Sequence, residues 1–308
     1  MKIYQNIRKN SKNKNLNNCM ITEKIKNLSN GLIKTKNDQL PPSYPDLPKP
    51  YFRLNVSASS GSGKTNAILN MLAKQYPYFD KIFLISPTIN NDPKAKDFFE
   101  DKPNVYIFDD PKPQLINEIR SILKEDIKKH EEYKDIKKIW SKFKKGGYNP
   151  DNLEPWELMK LYSVNFDPSS HEMANDNDKL NNLLWFEDCQ DMDILKCKDF
   201  SNLTIKARHS QLSLICCTQN WKAVTNTWRR NSSAHFIFKT HDKNLIKQIF
   251  EEVALFFPSE EVFNKIYEYC TSEPYCFMYV DTKDNDKPVR KNFDEVIVMD
   301  QFKAGEKK

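Results

Sequence analysis

The sequence predicts an α/β fold, and three observations carry that prediction. Short apolar segments of buried-strand type recur along the chain, at residues 52–56, 81–86, 104–108, 182–186, 212–217 and 234–239. Stretches with helical patterning stand between and after them, at 64–75, 114–143, 199–208, 244–255 and 260–269. The first strand breaks into a loop of small residues and then into helix formers, in the order strand, loop, helix. At 308 residues, 39% hydrophobic and 29% charged, the chain has enough apolar content for one large or two small domains.

Residues 1–40 are basic and rich in Asn, with only Glu23 and Asp38 as acids, and they read as a flexible tail. Such a tail either contacts nucleic-acid phosphates without sequence preference or stays solvated with no partner. Residues 41–50, PPSYPDLPKP, cannot form a helix and make an extended lead-in. The main domain is expected over 51–300, with a polar insertion at about 124–180 and a basic tail at 301–308.

The stretch FRLNVSASSGSGKTNAIL, residues 52–69, carries the strongest chemical signal. Phe52, Leu54 and Val56 alternate as in a buried strand, and the loop that follows contains Ser60, Gly61, Ser62 and Gly63. Glycines let the backbone curl so that consecutive N–H groups point at phosphate oxygens, and the helix N-terminus adds its positive dipole end. Lys64 is placed to reach the β- and γ-phosphates of ATP, and the Thr65 hydroxyl to hold Mg²⁺. This is a Walker A pattern with one departure, since Ala58 stands where G-x-x-x-x-G-K-[ST] begins with glycine.

Residues 182–188, NLLWFED, have the form of a Walker B strand, an apolar run that delivers two acids to its carboxyl end. Glu187 is expected to bind Mg²⁺ through water, and Asp188 to orient or deprotonate the attacking water. Glutamate first is a second departure and leaves the division of roles open. The strand at 212–217 is capped by Thr218-Gln219-Asn220, where Gln219 is either a γ-phosphate sensor or a simple strand-end cap. Arg229 and Arg230 precede the strand at 234–239; a permanent charge with a forked donor set suits them to a neighbouring subunit's nucleotide. A strand at 275–280 closes the domain. Residues 146–179, rich in Asn, Asp and Pro, read as a surface excursion, partly disordered.

The seven cysteines form no C-x-x-C pair, which argues against a zinc site or disulfide framework and for reduced thiols. No stretch is long and apolar enough to span a bilayer and the N-terminus lacks an apolar signal core, so a soluble, intracellular protein is expected.

Walker A, Walker B, Arg208-His209, the strand ending in Thr218-Gln219, and Arg230-Asn231 occur in that order. Together, and above all in ARHSQLSLICCTQN followed by WRRNSSAHFIFK, they resemble the poxvirus-type DNA-packaging ATPases of the FtsK–HerA superfamily, over about residues 50–282. The resemblance implies a P-loop NTPase fold of the ASCE/RecA-like kind, with a mostly parallel central sheet and helices on both faces. It also implies an ATPase that pumps double-stranded DNA into preformed capsids, acting as a ring of identical subunits, a hexamer or pentamer. A capsid or portal-site protein would be its further partner, and the host cell interior or the virion its place of action. Lys64, Thr65, Glu187, Asp188 and Gln219 carry over as site residues, and Arg230 as the residue supplied in trans. Arg208 and His209 match the pattern without a derivable role. A P-loop helicase or replication ATPase, or a non-catalytic DNA-binding capsid-associated protein, are the alternatives; a small-molecule kinase would need an Arg-rich lid, where 124–180 is rich in Lys and Asn.

Overall fold

The computed structural model describes residues 22–24, 43–89, 92–164 and 179–303. Among these, the strands are β1 (Thr22–Lys24), β2 (Arg53–Ser57), β3 (Lys81–Ile85), β4 (Val105–Phe108) and β5 (Asn182–Glu187). They continue with β6 (Leu212–Thr218), β7 (Ala234–Phe238), β8 (Phe277–Asp281), β9 (Val289–Lys291) and β10 (Glu295–Ile297). All join one sheet, in the order β1-β10-β9-β8-β7-β2-β6-β5-β3-β4. From β7 to β4 every pairing is parallel, whereas β8, β9, β10 and β1 extend the sheet antiparallel. The fold is thus α/β with a mostly parallel centre.

Parallel strands need covering on both faces, because crossover helices lie on each side. The chain meets this need with apolar runs, and β5, β6 and β7 are buried at every position. Alternation sorts the side chains between two cores. Leu54, Val56, Leu183, Trp185, Ile215 and Cys217 pack with Ile68 and Leu72 of α1 (Lys64–Gln75), and with Ala95 and Phe99 of α2 (Pro93–Phe99). Leu184, Phe186, Leu214 and Cys216 face the other way. They pack with Ile116 and Ile119 of α3 (Gln114–Lys145), Phe200 of α5 (Lys198–Lys206) and Trp228 of α6 (Asn226–Asn231). Asn55 also points to this second face, where its Oδ1 accepts a hydrogen bond from Trp228 Nε1 at 3.0 Å. That explains why the β2 pattern is alternating rather than continuously apolar. A third core joins α7 (Lys243–Val253) and α8 (Glu260–Cys270) to Met278 and Val280 of β8.

The helix expected over 114–143 is present, and the difference from the sequence expectation lies in the segment after it. The helix begun at Gln114 runs unbroken for 32 residues, about 48 Å at 1.5 Å per residue. Its first half lies on the sheet. Its second half carries Tyr133, Ile136 and Ile139 into a small core with Leu153 and with Leu161 of α4 (Pro155–Val164). Residues 146–164 therefore fold back as the second arm of a helical hairpin rather than as an irregular excursion; residues 165–178 lie outside those described. β9 and β10 were not anticipated, being only three residues each. β1 falls inside the expected tail and pairs with β10, Thr22 opposite Ile297; the rest of 1–40 is outside the described residues, as is 304–308 beyond α9 (Asp300–Lys303). Among the described residues no helix is long and apolar enough to cross a membrane.

Candidate active site

β2 ends at Ser57 and the chain turns through residues 58–63 into α1. Gly61 has φ +76° and Gly63 φ +96°, left-handed values that suit glycine. Gly63 is also the N-cap of α1, and it offers no side-chain cap. A helix start without a capping side chain leaves its first N–H groups free for an anion. Ala58, the first departure, does not share the left-handed conformation. It is buried in the core beneath the loop, and its N–H donates to Thr218 O on β6 at 3.1 Å. Alanine is therefore accommodated where the pattern has glycine, because this position asks for no positive φ and its methyl packs.

Lys64 is buried, and its ammonium donates to the carbonyls of Ala58 (2.9 Å) and Ser59 (3.2 Å). The loop thus holds its own cation folded across it, ready to exchange backbone carbonyls for phosphate oxygens. Ser60 and Ser62 belong to the same turn, with the Ser62 and Ser59 hydroxyls 3.0 Å apart.

Period-2 alternation places Glu187 on the face of Leu183 and Trp185, towards α1. There the Thr65 hydroxyl donates to Glu187 Oε1 at 2.8 Å, across 122 residues of sequence, and Trp185 Nε1 donates to Oε2 at 2.9 Å. Glu187 pairs in register with Cys217 on β6. Burial raises the Glu187 pKa above its ordinary value, opposed by hydrogen bonds from Cys217 and Thr65. Asp188 follows with φ +51°, a left-handed conformation uncommon for a non-glycine residue. Its N–H donates to Cys217 O at 3.2 Å, while its buried Oδ1 has no partner among the described residues.

β6 lies between β2 and β5, so Gln219, exposed just beyond it, emerges between the loop and the two acids. The structure brings Lys64, Thr65, Glu187, Asp188 and Gln219 to the carboxyl ends of three adjacent strands. It does not bring Arg230 there. α6 ends beside the start of β2, where Arg53 Nε donates to Asn231 O and Ala234 pairs with Leu54. Arg230 is exposed at that far end, away from its own subunit's loop. Arg229 is tied down, its guanidinium donating to Glu252 Oε1 (2.8 Å), Val224 O (2.7 Å) and Asn226 Oδ1 (2.6 Å). Arg208 and His209 are exposed in the turn before β6, also at the strand starts. Sequence reasoning missed the anchoring of Glu187 by Trp185, although their i, i+2 spacing on one strand was a usable signal.

Thr65 and Glu187 present hard oxygen donors of the kind that hold Mg²⁺ together with phosphate oxygens and water. The orphaned Asp188 Oδ1 beside them fits a water-bearing site.

No protein-family model matches the sequence, and no curated protein matches it. Solved structures do. The genome packaging NTPase B204 from Sulfolobus turreted icosahedral virus 2, in complex with AMP, is similar at 13% identity and TM-score 0.46, over 80% of this chain and 98% of that one. Thermomonospora curvata EccC (ATPases 2 and 3) is similar at 11% identity and TM-score 0.42, over 80% and 36%. The pCW3 conjugation coupling protein TcpA, with ATPγS, is similar at 10% identity and TM-score 0.41, over 81% and 62%.

Proposed function

We propose that this chain hydrolyses ATP to drive double-stranded DNA, as a ring-forming motor that packages a viral genome into a preformed capsid within the host cell. The observation that supports the chemistry best is the convergence on one point of Lys64, Thr65 and Glu187, contributed by a phosphate loop and an acidic strand with a polar-capped strand between them. The DNA-packaging part of the reading rests on the sequence resemblance. The structural likeness to a viral genome packaging NTPase is too remote to add to it.

In this reading the triphosphate lies along the N-terminus of α1, with loop N–H groups and Lys64 stabilising charge on the β- and γ-phosphates. Thr65, and Glu187 through water, would hold Mg²⁺, which would supply charge neutralisation to the phosphate oxygens. Asp188 accepts the proton of the attacking water, for which an unpaired carboxylate oxygen is suited. Gln219 contacts the γ-phosphate or the water from the neighbouring strand. Arg230, exposed and far from its own loop, acts only if a neighbouring subunit brings a nucleotide to it.

One sample tests the whole. Purified protein should hydrolyse ATP, the rate should rise with double-stranded DNA, and the mass in solution should be that of a hexamer or pentamer. ATP turnover indifferent to DNA in a monomer would refute the motor. Absence of turnover in every assembly state would refute the enzyme.

A further inference from the structure

Beside the phosphate loop the surface sinks into a cleft of roughly 350 Å³, within the ~300–1,000 Å³ range of small-molecule sites. Gly61 and Ser62 form one wall; Phe238 and Lys239, at the end of β7, and Tyr275 and Cys276, in the turn between α8 and β8, form others. None of Lys64, Thr65, Glu187 or Asp188 lines it, so the chemistry described above leaves it unexplained.

Tyr275 is the unusual residue there. It is 70% exposed, and its backbone sits at φ +65°, a conformation that bulky L residues rarely adopt. Its ring lies against the loop: a Cβ built on Gly63 would meet Tyr275 Cδ1 at 3.2 Å. The turn that presents it is braced from behind. Asn292 Oδ1 accepts the Phe277 N–H at 3.0 Å, and Lys291 pairs with Glu273 at 2.8 Å. A strained, braced turn that leaves an aromatic ring uncovered beside a phosphate loop is the arrangement of a stacking platform.

We propose that this cleft is the nucleoside subsite of the phosphate loop, with Tyr275 as the ring on which the base stacks. The proposal rests on the reading of Gly61–Thr65 as the phosphate site. With phosphates at the start of α1, ribose and base extend into the adjoining cleft. Stacking recognises any base through its π-face, so the subsite requires a base and discriminates little between adenine and guanine.

The test is equilibrium binding of ATP, GTP and inorganic tripolyphosphate to the full chain and to Tyr275→Ala, Tyr275→Phe and Tyr275→Trp. Tyr275→Ala should weaken ATP and GTP alike by about 5- to 150-fold, the worth of one stacked base. It should leave tripolyphosphate within twofold, and Phe or Trp should restore nucleotide binding. Equal loss of tripolyphosphate would make Tyr275 a prop for the loop and overturn the proposal. Unchanged nucleotide affinity in Tyr275→Ala would overturn it too. A wild type that binds tripolyphosphate as tightly as ATP sinks the base subsite alone, whereas one that binds neither sinks the phosphate site as well.

Discussion

Glu187→Gln should make the protein more stable and less active, and the structure says how the two effects separate. The carboxylate accepts from Thr65 at Oε1 and from Trp185 at Oε2. In the amide, the remaining oxygen keeps the Trp185 bond, because an indole N–H can only donate. The new NH₂ then faces Thr65, whose hydroxyl rotates from donor to acceptor. The third hydrogen bond, from the buried Cys217 thiol, comes from a weak donor whose loss costs little, so the penalty for breaking this network is small. What disappears is the cost of burying a charge: burial raises the Glu187 pKa above its ordinary 4.5. A carboxyl with a raised folded-state pKa stabilises the fold less as pH rises, because the unfolded state then releases its proton more readily. Wild type and Glu187→Gln should therefore be equally stable below about pH 4.5, where the carboxyl is protonated in both states. The mutant's advantage should grow as pH rises through the folded-state pKa and then level off. At pH 8 the mutant should therefore have the higher Tm. The assay is thermal unfolding of both proteins from pH 4 to 8, with EDTA and without nucleotide. ATP turnover with Mg²⁺ should meanwhile fall on the order of a hundredfold or more. A stability difference that does not change with pH would show that Glu187 is not a strained buried acid. A mutant destabilised at every pH would show that its hydrogen bonds outweigh its burial.

Lys64→Ala should remove hydrolysis by on the order of a thousandfold or more, since the γ-phosphate loses its principal cation; near-normal turnover in a folded mutant would end the nucleotide-site assignment. Asp188→Asn should still bind ATP while turnover collapses, because the amide cannot accept the water's proton. If Asp188→Asn keeps its rate while Glu187→Gln loses its own, the roles of the two acids are the reverse of those proposed. Arg230→Ala should bind ATP and assemble yet turn over about 10³–10⁵ times more slowly, the worth of an arginine supplied in trans. Mixing it with Lys64→Ala should recover part of the activity at interfaces that join an intact loop to an intact arginine. No recovery, in rings that tolerate inactive subunits when doped with wild type, would make Arg230 structural.

The local machinery was legible because its parts are contiguous. Loop, glycines, lysine and threonine fall within one short run of sequence, and the helix expected over 64–75 is α1. The acids after an apolar run were legible for the same reason, since a strand buried on both faces must be apolar throughout and ends where charge begins. The helical hairpin was harder to see. Its lysines and glutamates disguise a stripe of Tyr133, Ile136 and Ile139 that makes sense only once Leu161 is known to lie against it. Three-residue strands such as β9 and β10 carry too little pattern to be told from loop.

The sequence by itself determined that the strand at 52–56 gives way to a loop of small residues and then to the helix at 64–75, and that Glu187 and Asp188 end a core strand, because backbone conformation and burial there follow from neighbours in the chain. Only the tertiary structure decided which distant groups meet. Thr65 bonds Glu187 across 122 residues, and the Tyr275 ring lies on Gly63. It also set apart two adjacent arginines that look alike in sequence: Arg229 is held by Glu252 and two neighbours, while Arg230 stays exposed. The physical reason is common to all three. Strand pairing and helix packing set these distances, and neither leaves a local mark on the residues that end up facing each other.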